Sequence, residues 1–291
     1  MANLKDIRTR ITSVKSTRQI TNAMKMVSAA KLRKAQNAIT QLRPYANKLN
    51  EILGRLGDVK GSTVDNIYAN ERKEENVLLV AISSNRGLCG PFNSNVVKRI
   101  MELAEGQYSE QYKKGNLSII TLGSKSGQIL EAKGYKISGN YDNIYDDMSF
   151  ENVEKIAETL MNDFVSKKYD KIELVYNRFK NAAVQILTQE QFLPIKHEEN
   201  TANDNSDYIF EPSQEYIFET LIPDSLKTQL FAALTDSFAS EQGARMTAMH
   251  QATDNATELI KSLTLSYNKA RQAAITKEIL EITAGAEALN G

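Results

Sequence analysis

Apolar positions step by three and four over long stretches at both ends of this chain, and by other rules in between. After Pro223 no proline interrupts the chain to Gly291. Met249, Ala252, Ala256, Leu259, Leu263, Ser266, Ala270 and Ala273 form a heptad seam with one polar step. Upstream, Leu230, Leu234 and Phe238 step by four, the wider stripe of globular helix packing. About 60 helical residues would span ~90 Å, more than a compact body of this size needs. Such a segment predicts a shaft, tether or interface.

The N-terminal end supplies a partner for it. Residues 3–56 contain a single proline, Pro44, and no glycine before Gly54. Leu4, Ile7, Ile11 and Val14 step by three and four, as do Ala35, Ala38, Leu42, Tyr45, Leu49, Ile52 and Leu56. Between them Arg18, Thr21 and Lys25 occupy the extrapolated slots, while Ile20, Met24 and Val27 lie on a shifted stripe, the pattern of a stutter. Pro44 predicts a slight kink. Two such helices leaving one side of a middle domain run antiparallel, at ~80 Å and ~95 Å, so the C-terminus is expected to protrude ~10–15 Å past Met1. The predicted division is 1–57 and 223–291 for the coiled-coil helices, with 58–222 as an α/β globular domain.

The middle follows another pattern. Val77–Ser83 is a continuous apolar run, as in a strand buried on both faces. A helix is predicted from Asn93 to about Glu105, then a strand at Leu117–Leu122 and a short helix through Leu130. A stronger amphipathic helix covers Phe150–Val165, and Ile172–Asn177 pairs with Ala183–Phe192 as a hairpin. This alternation predicts a small α/β sheet with right-handed crossovers. The stretch His197–Asp207 is polar and reads as a loop.

Of the 291 residues, 41% are hydrophobic and 25% charged, a globular composition. No run of ~18 apolar residues predicts a membrane span, and no signal-peptide core follows Met1. The lone Cys89 argues for a reducing compartment. A formal net charge of zero hides an asymmetry: residues 1–57 carry +10, 58–223 carry −8 and 224–291 carry −2. The basic helix, with Lys5, Arg8, Arg10, Lys15, Arg18 and Lys25, suits an acidic partner: nucleic acid, anionic lipid or an acidic protein surface. It also looks like a mitochondrial presequence, or simply a solvated basic face.

Candidate chemistry is sparse. The loop Ser83–Gly90 follows a strand and opens a helix, the right place for a phosphate, but lacks the three glycines of a dinucleotide fingerprint. Gly123–Gly127 lacks the glycine frame of a P-loop. Cys89 has no nearby histidine, and two histidines with one cysteine do not make a structural zinc site. Neither catalytic, cofactor nor metal residues are expected. Tyr45 is the single aromatic of the first helix, poor provision for stacking nucleic-acid bases.

Over nearly its whole length the chain resembles the γ subunit family of the F-type ATP synthase. The resemblance rests on IRTRITSVKSTRQITNAMKMVSAAKLRKAQ, on SSNRGLCG, and on ASEQGARMTAMHQATDNATELIKSLTLSYNKARQAAITKEILEI. It implies a Rossmann-like α/β middle domain plus a long antiparallel coiled coil, and a non-catalytic rotor without cofactor. Its partners would be the α and β subunits of the catalytic ring, the ε subunit and the c-ring, with one copy per complex and no nucleic acid. It would couple proton flow to ATP synthesis or hydrolysis. By resemblance, Met24 and Lys25 contact β, as do Arg271, Gln272 and Thr276, while Glu241 and Arg245 support coupling. Tyr208, Phe210 and Glu211 form the foot toward the c-ring and ε, with Phe210 standing where relatives often carry an aromatic hydroxyl. Pro91 and Asn85 likewise depart from the family's frequent Gly and Asp. Because Met1 leads directly into the opening helix, a bacterial chain is expected, peripheral on the cytoplasmic side of the inner membrane.

Overall fold

The computed structural model describes residues 4–57, 67–70, 72–195 and 214–290. Helix α1 spans Leu4–Gly57. The middle follows as β1 (Val77–Ile82), α2 (Phe92–Glu105), α3 (Ser109–Lys114), β2 (Leu117–Leu122), α4 (Ser124–Ala132), β3 (Ile137–Asn140), α5 (Phe150–Val165), β4 (Lys171–Phe179) and β5 (Gln185–Leu193). Helix α6 spans Gln214–Asn290. The chain falls into two compact units, Met1–Ser28 with Met246–Gly291, and Ala29–Arg245.

In the larger unit, five strands form one sheet in the order β3-β2-β1-β4-β5. β1 lies parallel to β2 and β4, β2 parallel to β3, and β5 closes the sheet antiparallel to β4. Every residue of β1 is buried. Leu78, Val80 and Ile82 face α5 and the stretch of α6 from Ile222 to Leu234, in a core with Leu160, Phe164, Leu226 and Leu230. Val77, Leu79 and Ala81 face α2, in a core with Val96, Ile100 and Leu103. Helices on both faces explain why the strand reads as unbroken apolar sequence rather than as an alternation. The sequence pattern shows neither β3 nor α3. β3 is four residues long and only half-buried, and the register slips between Ile119 and Ile120 beside it, so no alternation marks it.

Helix α6 begins at Gln214, well ahead of the start expected at Pro223, which lies inside it. A proline there removes one hydrogen bond, but Ile222 and Leu226 on either side are buried against the sheet and hold the helix through. In this unit α1 and α6 run antiparallel. Lys31 acts electrostatically on Glu241, Arg43 bonds Asp236, and Ala46 and Leu49 line a small cavity with Ser225 and Ala233. The α1 stripe here is Leu32, Ala35, Ile39, Leu42, Ala46 and Leu49. That corrects two expected seam positions: Ala38 and Tyr45 are exposed, Tyr45 by 56%. Each lies one position from the true seam residue.

In the smaller unit α1 places Leu4, Ile7, Ile11, Val14, Arg18, Thr21, Lys25 and Ser28 on its inward stripe. The heptad therefore runs straight through the polar slots and there is no stutter. Ile20 and Val27, expected on a shifted seam, are 60% and 56% exposed. Polar residues fit because Thr21 returns its hydroxyl to the Arg18 carbonyl at 3.1 Å. Half-buried Arg18 and Lys25 can lay aliphatic stems along the seam and lead their charges out. On α6 the stripe is Met249, Thr253, Ala256, Ile260, Leu263, Tyr267, Ala270 and Ala274. The expected Leu259, Ser266 and Ala273 are exposed instead.

Thr21 meets Thr253. Stepping outward from this pair, toward Leu4 and toward Ala270, the stripes match position for position, as antiparallel helices require. Leu4 comes level with about residue 270, so roughly 20 residues, ~30 Å of helix, continue without a partner helix among the described residues. That is longer than the ~10–15 Å expected from the sequence, because α1 and α6 are registered by Thr21 and Thr253, not by their ends.

Candidate partner-contact surfaces

The first site is built where the loop after β1 meets α6. Ser84 donates its backbone N–H to the Asn93 side-chain oxygen at 3.0 Å and its hydroxyl to the Arg86 carbonyl at 2.7 Å. Asn93 in turn donates to the Cys89 sulfur at 3.3 Å. The turn needs left-handed backbone at Leu88 and Gly90, with φ of 62° and 58°. Leu88 accepts this conformation with its side chain exposed.

Arg245 fastens this loop. Its guanidinium donates to the Arg86 carbonyl at 2.9 Å and to the Gly87 carbonyl at 3.3 Å. On its other side it pairs with Glu241 at 2.6 Å. Both side chains are buried. Burial pushes the Glu241 carboxyl above the ordinary value, and the positive charges of Arg245, Lys31 and Arg86 oppose that rise. An ion pair this deep is tolerable because its remaining donors are satisfied by fixed carbonyls.

Two glycine positions depend on close approach. A Cβ on Gly243 would stand 3.2 Å from the Ala182 Cα in the β4–β5 turn. A Cβ on Gly123 would stand 2.3 Å from the Ser83 carbonyl oxygen, with φ already at 111°. The first lets α6 settle into the crevice at the carboxyl ends of β1 and β4, where the strand order reverses. Open α/β sheets usually receive ligands in that crevice. Here Gly243, Ala244 and Arg245 fill it, with Ala244 packed on Cys89 and Phe92. Cys89 is buried and burial raises its thiol, so it stays protonated and unreactive. Among the described residues no group of three or more His, Cys, Asp or Glu is disposed to hold a metal ion.

The second and third surfaces lie in the smaller unit. Met24 and Lys25 are half-buried, beside the exposed Ile20, Met26 and Val27. Arg271, Gln272 and Thr276 are exposed on the unpartnered stretch of α6. By the register from Thr21 and Thr253, Lys25 lies level with Met249, ~33 Å along the helix from Arg271. The structure therefore gathers the residues assigned to β into two zones. Glu241 and Arg245 are brought together; Tyr208, Phe210 and Glu211 lie outside the described residues, as does the polar stretch His197–Asp207. Two features escaped the sequence reading. One is the Thr21–Thr253 pair, which needs the true register to be seen. The other is an exposed apolar row at Ile275, Ile279 and Ile282, the last 72% exposed. Its spacing of four and three was legible in the sequence.

The fold is that of an α/β protein with a five-stranded sheet and two long helices, its crevice at the sheet's switch point filled by its own α6. The profile of a family described as ATP synthase matches residues 3–289. The ATP synthase gamma chain of Christiangramia forsetii is 60% identical over 291 residues, all of both chains. That of Flavobacterium johnsoniae is 58% identical over the whole of both, and that of Chlorobium phaeobacteroides 44%. A solved chain from the OSCP/F1/c-ring part of Euglena gracilis mitochondrial ATP synthase shares the fold at a TM-score of 0.67 and 23% identity, covering 98% of this chain and 94% of its own. The chain belongs to the ATP synthase gamma chain family.

Proposed function

We propose that the chain is the central rotor stalk of an F-type ATP synthase, coupling proton flow through the c-ring to ATP synthesis or hydrolysis at the β subunits. The observation that carries this reading is end-to-end similarity to bacterial ATP synthase gamma chains, at up to 60% identity among the relatives named above. The chain itself is non-catalytic in this scheme. Helix α1 and the part of α6 after Pro223 serve as the shaft within a ring of α and β, and the region between them is the globular part that meets ε and the c-ring. The helix pair has no rotational symmetry, so each orientation offers a different face to each β subunit and stabilises a different conformation there.

Named residues then take roles. Met24 and Lys25, flanked by exposed apolar Ile20 and Val27, form one contact zone for β. Arg271, Gln272 and Thr276, on helix without an internal partner, form another. Glu241 and Arg245 stiffen the loop 86–88 against α6, which suits a part that must transmit force. Tyr208, Phe210 and Glu211 are assigned to the foot. Among the described residues no helix is long and apolar enough to cross a membrane. In this scheme the chain is held through its complex on the cytoplasmic side of a bacterial inner membrane. Co-expression with α and β tests the reading. A complex with one copy of this chain that hydrolyses ATP is expected; failure to co-purify overturns it.

A further inference from the structure

A cleft of about 560 Å³ opens in the larger unit between α1, the β4–β5 hairpin and α6. Ile39, Leu42 and Ile186 give it an apolar floor, and Arg43, Arg178 and Lys180 line it with positive charge. Asp236 is the one acid in the lining. Arg43 already engages it at 3.3 Å, and also donates to the Phe179 carbonyl at 3.3 Å. Arg178 and Lys180 form no ion pair among the described residues and are exposed. The nearby Glu190 is occupied, accepting from Tyr176 and Gln229 at 2.7 Å each.

The adjoining strand gives an independent observation. Among the described residues β5 pairs with β4 alone and ends the sheet; Gln229 of α6 reaches its Glu190 and the Gln191 carbonyl, which leaves the end near Ile186 and Leu187 uncovered. Edge strands are ordinarily blunted by lysine, proline or inward charge, because their free N–H and C=O groups recruit other chains. β5 contains neither lysine nor proline. Val184, Ile186 and Leu187 are all exposed at its start. Ile186 stands directly opposite Arg178 in the pairing, so an aliphatic side chain and an exposed guanidinium, which acts on Asp236 only from a distance, share one face at the cleft.

We propose that this cleft and the β5 edge dock an acidic, aliphatic-bearing segment of a partner protein. Its carboxylates pair with Arg178 and Lys180 and its aliphatic side chains cover Ile186. An apolar floor beneath paired cations suits such a segment better than a small free anion, which would leave Ile39, Leu42 and Ile186 uncovered. The inference rests on the rotor reading only for the choice of complex.

The test places a photo-crosslinking residue in the assembled complex, as Ile186→p-benzoylphenylalanine, and identifies the captured peptide by mass spectrometry. One segment of net negative charge is expected, with capture falling at least tenfold in the added double change R178E/K180E. Should that variant fail to assemble, R178Q/K180Q with a normal melting temperature replaces it, with the same fall expected. An intact complex with no captured protein, a captured segment that is neutral or basic, or capture unchanged by loss of the two cations overturns the proposal. Co-purification of the unsubstituted chain with α and β is scored separately, so failure of the rotor reading shows there and nowhere else.

Discussion

Thr21 and Thr253 bring their hydroxyls to 2.8 Å across the seam of the two long helices. Each also has a carbonyl of its own helix within reach, Arg18 at 3.1 Å and Met249 at 2.7 Å. Two hydroxyl protons serve three contacts, so one hydroxyl always donates across the seam or to its own turn at the other's expense. Arg18 and Lys25 on the same stripe can lead their charges out of the seam, whereas the two threonines meet within it, a polar step that favours one register. Thr21→Val and Thr253→Val are each expected to lower stability by about 1 kcal/mol. The double change should cost measurably less than their sum, because one shared bond is lost. Strict additivity in a thermal-melt cycle would contradict a direct coupling.

Arg245 neutralises Glu241 and satisfies the carbonyls of Arg86 and Gly87 in one move. Arg245→Ala leaves a buried carboxylate unpaired, a loss of roughly 3–5 kcal/mol. It also frees the loop, so trypsin should cut after Arg86 faster than in the parent. Arg245→Lys should rescue only in part, since an ammonium cannot span both carbonyls and the carboxylate with a planar fork. Unchanged cleavage in the alanine variant would show that other contacts hold the loop.

The raised Glu241 carboxyl gives a pH signature. Burial, its largest cause, makes the folded state hold a proton at Glu241 more tightly than the unfolded chain does. Between the ordinary value of 4.5 and the higher folded one, the native state binds more protons. This group's contribution to stability therefore falls as pH rises through that window. Glu241→Gln removes the dependence. The melting temperature of the parent relative to that variant should decline as pH rises from about 4.5. A relative gain would mean that Arg245 outweighs burial.

Met24 is half-buried, with exposed Ile20 and Val27 beside it. A lysine there adds charge to an already basic helix and removes apolar contact area. In membrane vesicles, Met24→Lys is expected to leave ATP hydrolysis largely intact while proton pumping falls several-fold. Pumping and hydrolysis that stay in proportion would remove Met24 from the coupling surface.

Ala256 is 8% exposed on the α6 stripe, one step beyond Thr253. Leucine at this point must force the helices apart or twist from a preferred rotamer, at a cost of about 1–3 kcal/mol. Assembly with α and β should drop as well, because a ring admits only a shaft of limited width. Ala256→Leu combined with Ala270→Leu should be worse than either; normal assembly and turnover of the pair would remove narrowness as a constraint.

Much of the candidate site was legible one residue at a time. Glu241 and Arg245 could be named from their motif, yet nothing in the spacing told that Arg245 reaches the loop at Arg86 and Gly87. That contact joins positions some 160 residues apart, and sequence periodicity reports only neighbours on one element. The spacing of Ile275, Ile279 and Ile282 was there to be read, but only the register set by Thr21 and Thr253 shows that no helix among the described residues covers them.

The apolar periods alone determined the class of fold: two long helices enclosing β1, β2, β4 and β5, because burying a stripe or a two-faced strand demands those spacings. Which stripe faces inward was decided by tertiary structure. Along α1, Ile20 and Val27 are more apolar than Thr21 and Ser28, yet they point outward. A straight heptad keeps the paired stretches of the smaller unit in register from Leu4 to Ser28, and Thr21 satisfies its hydroxyl at Arg18 and Thr253, so continuity outweighs the gain from burying two aliphatic side chains. Hydrophobicity read along one helix cannot weigh that, since the deciding partner stands on the other.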